Sequence, residues 1–174
     1  MRASSIAVGL MIGLALQTWA ADTESAATRP TTDTPRNWFD DPFFQVAWGL
    51  PQCPTPAGPF LTEAERRVQA HHRAERGTSC WLSGQCERSS AYAHDAEIAR
   101  DLQCRWAATP RFDAASLWVT VQHGVVFVEG CVTPSISAAE IEAFVRATPH
   151  VQQAVAIVHS DLKTRPAYKV LAPR

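Results

Sequence analysis

Two valine-rich runs on either side of His123-Gly124 constrain the fold more than any other part of the sequence. Residues 117–122 and 125–132 both alternate valines with larger or more polar residues. Alternation with a period of two is typical of strands that bury one face. Glycine adopts positive φ freely and histidine is among the residues that tolerate it, as a two-residue hairpin turn requires. The pattern predicts an antiparallel hairpin with Gly124 in its turn, and Gly130 within the second strand predicts a bulge or a close backbone approach.

The segments that flank this hairpin predict two helices and a third strand. Residues 95–107 carry apolar side chains at helical spacing. A second helix is expected to begin at Ser137, which forms a capping-box pair with Glu140, and to end before Pro149. Residues 151–158 predict the last strand. The order helix, strand, strand, helix, strand predicts an α+β fold, with two helices packed on one face of a three-stranded mixed sheet.

Residues 94–164 resemble the BON family of bacterial periplasmic domains. The resemblance is carried by Asp95-x-x-Ile98, by Val119-x-Val121-x-His123-Gly124-Val125-Val126-x-Val128-x-Gly130-x-Val132, and by a helix that closes on Pro149-His150-Val151. One departure is His150, which stands where the family usually has glycine. A left-handed conformation would be open to His150 at a small cost. The chain contains one such unit, whereas many members of the family contain two.

This resemblance implies a non-catalytic role in the cell envelope. Members of the family bind phospholipid surfaces or envelope partners, often in connection with outer-membrane integrity or osmotic stress. The first hypothesis is therefore an interaction or scaffold module of the periplasm that binds an envelope protein partner. The alternative is a peripheral module that binds a phospholipid surface. The sequence does not identify the partner, the lipid, the pathway or the oligomeric state.

The first residues predict a signal peptide. Arg2 supplies a positive charge, residues 6–16 are almost wholly apolar, and Ala20 or Ala21 offers a small residue at the cut. The apolar run is too short to cross a bilayer, which needs roughly 20 residues. We therefore expect export to the periplasm, removal of residues 1–20 by cleavage near Ala20 or Ala21, and no transmembrane span.

The segment between the signal peptide and the BON-like unit divides by composition. Residues 21–36 are rich in Thr, Ala, Asp and Pro and predict a disordered linker. Residues 37–93 form an N-terminal extension that contains aromatic residues and cysteines. In its first part, residues 37–60, prolines separate the aromatic residues and predict an arm that is neither a helix nor a central strand. After the BON-like unit, residues 165–174 are expected to be a C-terminal tail.

One extra helix is predicted inside this extension, over residues 62–76. Thr62 and Glu65 have the spacing of a capping box, and Gly77 is expected to end the helix. Apolar residues make only a thin stripe along this segment, so most of the helix should face solvent.

The chain contains five cysteines, and an exported protein is expected to oxidise them in pairs. Cys80 and Cys86 are close enough in sequence to form a local disulfide. Cys53 ends the aromatic arm and Cys131 lies on the outer face of the predicted hairpin, so a bond between them would fasten the arm to the sheet. Cys104 could pair with Cys80 or Cys86 instead, or remain the odd thiol.

A two-layer domain leaves one sheet face without helices, and large apolar residues are expected on it. If the valines of the hairpin face the helices, then Trp118, Val125 and Phe127 form an apolar patch, which usually marks an interaction site. The aromatic arm is the nearest cover for this patch, or else a docking element itself. The candidate binding face therefore consists of Trp118, Val125, Phe127, Trp38, Phe43 and Phe44.

Charge and motif content exclude several function classes. Lys and Arg number 16 and Asp and Glu number 17, a balance that provides no footprint for nucleic acid. Neighbouring His71 and His72 point about 100° apart on a helix, which argues against joint metal binding, and we expect neither a metal nor another cofactor. His159, Ser160 and Asp161 are triad residue types, but neighbours on a strand point to opposite faces. The sequence therefore predicts no catalytic residues.

Overall fold

The computed structural model describes residues 34–171. The predicted signal peptide, residues 1–20, and all but the last three residues of the predicted linker lie outside this range. The last of these three, Arg36, is paired with another segment. The backbone of Arg36 exchanges two hydrogen bonds with that of Leu61, each of 2.9 Å. Ordered structure therefore extends slightly into the segment predicted as a linker.

The fold is an α+β arrangement of four strands and three α-helices among the described residues. A single mixed sheet has the order β1-β2-β3-β4, in which β1–β2 and β2–β3 are antiparallel and β3–β4 is parallel. The elements are β1 (Phe43–Trp48), α1 (Glu63–Leu82), α2 (Asp95–Ala107), β2 (Ser116–Gln122), β3 (Val125–Cys131), α3 (Ala138–Arg146) and β4 (Gln153–His159).

The prediction of a three-stranded sheet and an irregular arm is wrong in one respect, because the arm supplies β1. Pro42 and Pro51 flank this strand instead of interrupting it. The strand lies at the edge of the sheet beside β2, a position that tolerates nearby prolines. The carbonyl of Pro42 accepts a hydrogen bond of 3.0 Å from the Val121 amide. A short edge strand between prolines has too little periodicity to be predicted from the sequence.

The main core lies between the sheet and α2 and α3, as predicted. Ile98 and Leu102 of α2 and Ile141 of α3 are fully buried against Val119 and Val128 of the hairpin. The hydroxyl of Ser137 caps α3, as predicted, by accepting from the Glu140 amide. The Glu140 carboxylate does not complete a capping box, because it forms a 2.7 Å ion pair with Arg111.

The turn between β2 and β3 has the predicted conformation and an additional support. His123 and Gly124 have φ angles of 47° and 78°. Their amides donate hydrogen bonds of 2.7 and 2.9 Å to the carboxylate of Asp95, the first residue of α2. This buried carboxylate ties the hairpin to the start of α2.

Gly130 is held in a close contact between backbones. It has a φ of +147°, and a Cβ added there would lie 2.1 Å from the carbonyl oxygen of Ser116. The neighbour that excludes a side chain is therefore strand β2, which pairs directly with β3, and not a helix above the sheet.

The helix predicted over residues 62–76 continues to Leu82, so Gly77 does not end it. Gly77 is buried, and an added Cβ would lie 3.3 Å from the ring of Tyr92. The glycine thus serves helix packing. The left-handed glycine that follows the helix is Gly84, with a φ of 71°. The predicted capping box of Thr62 and Glu65 is present, and the helix is largely exposed, as expected.

Two disulfides form, and both are pairings that the sequence suggested. Cys80 and Cys86 close a loop after α1, with their Cα atoms 5.2 Å apart. Cys53 and Cys131, separated by 78 residues in sequence, have Cα atoms 5.7 Å apart. Cys104 is free and exposed on α2.

Gly130→Ala should lower the free energy of unfolding by about 3 kcal/mol or more, because it combines a forced backbone clash with an unfavourable φ. Gly84→Ala is the matched control. Gly84 also has positive φ, but nothing lies within 4 Å of an added Cβ. Its substitution should therefore lower the free energy of unfolding by only about 1–2 kcal/mol. Urea unfolding of both variants measures the difference. Equal losses would contradict the close approach at Gly130.

Replacing Cys53 and Cys131 together by serine should destabilise the protein by about 4–5 kcal/mol, since the sequence separation of 78 closes a long loop in the unfolded chain. The corresponding Cys80 and Cys86 double variant, with a separation of 6, should lose only about 2 kcal/mol. Unfolding curves under oxidising conditions test both values. Similar losses in the two variants would show that loop length does not set the contribution.

Candidate interaction surface

The sheet face opposite the helices, here called the outer face, carries Trp118, Thr120, Val125, Phe127, Glu129 and Cys131, as the alternation predicted. Of the two expectations for this face, the cover by the aromatic arm is confirmed around Trp118 and Cys131. Trp118 retains 9% of its exposure and Cys131 is fully buried, while Val125 and Phe127 are half-buried. The alternative of an open patch is therefore wrong for Trp118, which the arm covers, whereas Val125 and Phe127 stay partly exposed.

Two distant segments, residues 50–60 and 168–171, form an outer cover over this face. Cys53, Trp118 and Cys131 make a small second core, with Phe43 and Leu50 packed against it. The two segments are also joined to each other, because the amide of Ala57 donates to the Lys169 carbonyl at 2.7 Å. The segment predicted as a C-terminal tail thus contributes to the fold.

Only one of the three arm residues proposed for the binding face meets the outer face. Phe43 pairs with Thr120 and packs in the second core. Phe44, the next residue on the strand, faces the opposite side and packs against the main core. Trp38 lies elsewhere and donates its indole N–H to the Leu61 carbonyl at 2.7 Å.

A cavity of about 160 Å³ remains at the edge of the outer cover. It is lined by Gly58, Pro59, Thr120, Gln122, Phe127 and Glu129. Burial raises the pKa of Glu129, which forms no ion pair with any residue in the range 34–171. Burial, with a contribution from Glu129, also raises the pKa of Tyr168 to about 12. Of the described residues, Glu129 is thus the one acidic group that lines this cavity, which is too small for most organic ligands.

The described surface exposes apolar side chains together at the end of α1. Trp81 and Leu82, here called the tip, are 47% and 80% exposed. They follow Cys80 directly and so lie inside the loop that the Cys80–Cys86 disulfide closes. The amide of Cys86 also donates to the Cys80 carbonyl at 3.2 Å. The tip is therefore held on a short, cross-linked loop, whose disulfide was predictable from the sequence although its exposed apolar pair was not.

α1 is attached to the rest of the protein through a buried ion pair. Arg73 donates two hydrogen bonds, of 2.9 and 2.7 Å, to the carboxylate of Asp41. Its guanidinium also lies 4.0 Å from the ring centre of Tyr92 and 4.3 Å from that of Phe39. Because both charged groups are largely buried, this contact fixes the orientation of α1 and of the tip beyond it.

Three potential metal ligands meet near the start of α2, and no spacing in the sequence indicates this grouping. His94, Glu97 and His150 have ligand atoms within 4.8 Å of one another. The hydrogen bond with His94 is the main cause of a lowered pKa at Glu97. His71 and His72, the histidines considered from the sequence, instead contact the two oxygens of Glu75 at 3.4 and 3.7 Å on the exposed side of α1.

The remaining sequence candidates form no catalytic arrangement. The ring of His159 lies beside the sulfur of Cys131, at 3.3 Å, and beside the ring of Tyr168. Ser160 and Asp161 are exposed past the end of β4. The predicted turn residues Gly124 and Gly130 act in the backbone of the hairpin, as described above.

A sequence profile of the BON domain family matches residues 94–166. Comparison of the chain with curated proteins and with solved structures finds no match. Within residues 34–171, no helix combines the length and the apolar character needed to cross a membrane. The matched range begins at His94, beside Asp95, and includes the whole sheet except β1.

Replacing Glu129 by Gln should stabilise the folded protein at pH 7, because a neutral amide of the same shape loses less on burial than a carboxylate. The raised pKa means that the folded state binds this proton more tightly than the unfolded chain. Stability from this group is therefore present at acidic pH and is lost as pH rises through its folded pKa. In urea unfolding from pH 4 to 8, the free energy of unfolding of the variant should rise relative to that of wild type as the pH increases. A difference between the two that stays constant with pH would contradict the assignment.

Proposed function

Because residues 94–166 are a single BON unit, a non-catalytic binding module, we propose that this chain is an exported interaction module of the cell envelope that attaches to phospholipid surfaces. The observation that carries the proposal is the tip, where Trp81 and Leu82 are exposed side by side on a disulfide-closed loop. The export part of the proposal rests on the predicted signal peptide and is supported by the two disulfides.

The tip has the chemistry of a membrane-interface contact. Tryptophan is enriched at the level of the lipid headgroups, and leucine inserts into the acyl region. The outer face is a weaker candidate than the sequence suggested, since the outer cover already occupies it around Trp118. The tip is free of such a cover and projects from the end of a helix that is mostly solvated.

The charges around the tip favour an apolar mode of attachment over an electrostatic one. Glu75 and Arg76 precede the tip and Glu87 and Arg88 follow it, so the local charges cancel. Burying one large apolar side chain, such as that of Trp81 or Leu82, contributes roughly 1.5–3 kcal/mol. Two of them support reversible attachment comparable to that of a single lipid anchor. We therefore expect a weak peripheral association that depends little on salt.

The proposal predicts that the full mature chain, residues 21–174, floats with phospholipid vesicles in a density gradient, both with zwitterionic lipid and with added anionic lipid. Replacing Trp81 and Leu82 together by serine should abolish flotation without changing the melting temperature, since both side chains are exposed. Trp48→Ser is the matched control, because Trp48 is 67% exposed at the end of β1 and should float like wild type.

An envelope protein as the partner is the second candidate, and the same tip would serve it, because exposed Trp residues are frequent anchors of protein interfaces. A photocrosslinker placed at Leu82 in intact cells separates the two functions. Lipid adducts favour the phospholipid surface, whereas one reproducible protein adduct, combined with a lack of flotation, favours the protein partner.

A further inference from the structure

His94, Glu97 and His150 form a compact group of two imidazoles and one carboxylate. His94 is the N-cap of α2 and Glu97 lies one turn later on the same helix, while His150 lies between α3 and β4. Nδ1 of His94 is 3.2 Å from one oxygen of Glu97, and Nε2 of His150 is 3.9 Å from the other. The group thus joins two segments that are distant in sequence.

His150 has a backbone conformation that is uncommon for a residue with a side chain. His150 has a φ of 64°, in the left-handed region where glycine is the least strained residue. Its ring lies stacked on that of His94, with centres 3.9 Å apart and planes inclined by 11°. A strained conformation that presents an exposed imidazole to another imidazole and a carboxylate is an observation that points to function.

We propose that His94, Glu97 and His150 bind a divalent transition metal ion, with Zn²⁺ as the expected ion. Two imidazole nitrogens and one carboxylate oxygen are a ligand set that zinc accepts, with a fourth position left for water or another ligand. The hard ions Mg²⁺ and Ca²⁺ prefer sets made of oxygen alone. This proposal is independent of the tip and of phospholipid attachment.

Small rearrangements would bring the three ligand atoms to coordination distance. Zinc bonds of about 2.0–2.2 Å require ligand atoms closer together than the present limit of 4.8 Å. The nearly parallel rings must diverge from their stack, which the 39% exposed side chain of His150 permits by rotating about its own bonds. The proton between His94 and Glu97 would move to the other nitrogen of the ring, so that Nδ1 becomes the ligand.

The surroundings leave room for the fourth ligand. His94 and His150 line one side of an open cleft of about 320 Å³, together with Gln85, Glu87, Arg88 and Gln152. A metal ion there would tie the start of α2 to the turn before β4, and so would stabilise the BON unit by binding the folded state.

The test uses untagged, disulfide-intact mature protein that has been treated with a chelator and then dialysed. Calorimetric titration and thermal unfolding are measured with Zn²⁺, and with Mg²⁺ for comparison. We expect saturable binding of one Zn²⁺ and a rise in melting temperature, with no response to Mg²⁺. No zinc-dependent rise in melting temperature, or an equal response to both ions, would overturn the proposal.

Two variants locate the site. His150→Gly should abolish the zinc-dependent rise, and without metal it should be at least as stable as wild type because the left-handed strain is gone. His123→Gly is the matched control, because it removes a side chain at a φ of 47° outside the ligand group. This variant should keep the full zinc-dependent rise in melting temperature. If His150→Gly still responds like wild type, the assignment is wrong.

Two further variants test whether other histidines bind the ion, and keep the test valid if His150→Gly fails to fold. Replacing His71 and His72 together by alanine should leave the zinc-dependent rise in melting temperature intact. If this variant loses the rise, the ion binds on α1 and the assignment is wrong. Glu97→Gln preserves the shape of the side chain but supplies a poor zinc ligand. It should weaken zinc binding without lowering the melting temperature in chelator, and unchanged affinity would contradict the proposed site.

Discussion

The structure depends on covering a sheet that has helices on one side only. α2 and α3 bury the valines of the hairpin, but this leaves Trp118 and Cys131 on the outer face, where water would contact them. The chain solves this with segments from outside the BON unit, and the Cys53–Cys131 disulfide holds the larger one in place. The second core around Cys53 and the packing of Tyr168 follow from that requirement. Among the described residues, the apolar side chains of the tip lie outside this cover, at the end of α1.

The sequence predicts the BON unit well because its signals are local and mutually consistent. The bounds of α2 are those expected, and the hairpin turn at His123-Gly124 has the positive φ angles that its residues suggest. Where the prediction fails, a tertiary contact decides. Gly77 resembles a helix terminator in sequence, yet it remains helical because it packs against Tyr92. β1 is stabilised by its register with β2, and no pattern within the strand itself reveals that pairing.

The candidate sites differ in how far the sequence could reveal them. The two disulfide pairings were reachable from spacing and from the alternation of β3. The separation of Phe43 from Phe44 onto opposite faces follows from strand geometry, but only after β1 is recognised as a strand. The group of His94, Glu97 and His150 required the turn before β4 to be brought against the start of α2. Its one sequence signal was the histidine at position 150, where a left-handed backbone favours glycine.

The position of Cys104 between the partners of the long disulfide has a consequence for biogenesis. In a chain that emerges N-terminus first, Cys53 appears well before Cys131, since they are 78 residues apart. Cys80 and Cys86 can close their short loop as soon as both have emerged, and Cys104 is then the next thiol available to Cys53. If the chain is oxidised as it emerges, a non-native bond between Cys53 and Cys104 can form before Cys131 is present. A disulfide isomerase, or rapid folding of α2 that keeps Cys104 away from the arm, would resolve this competition.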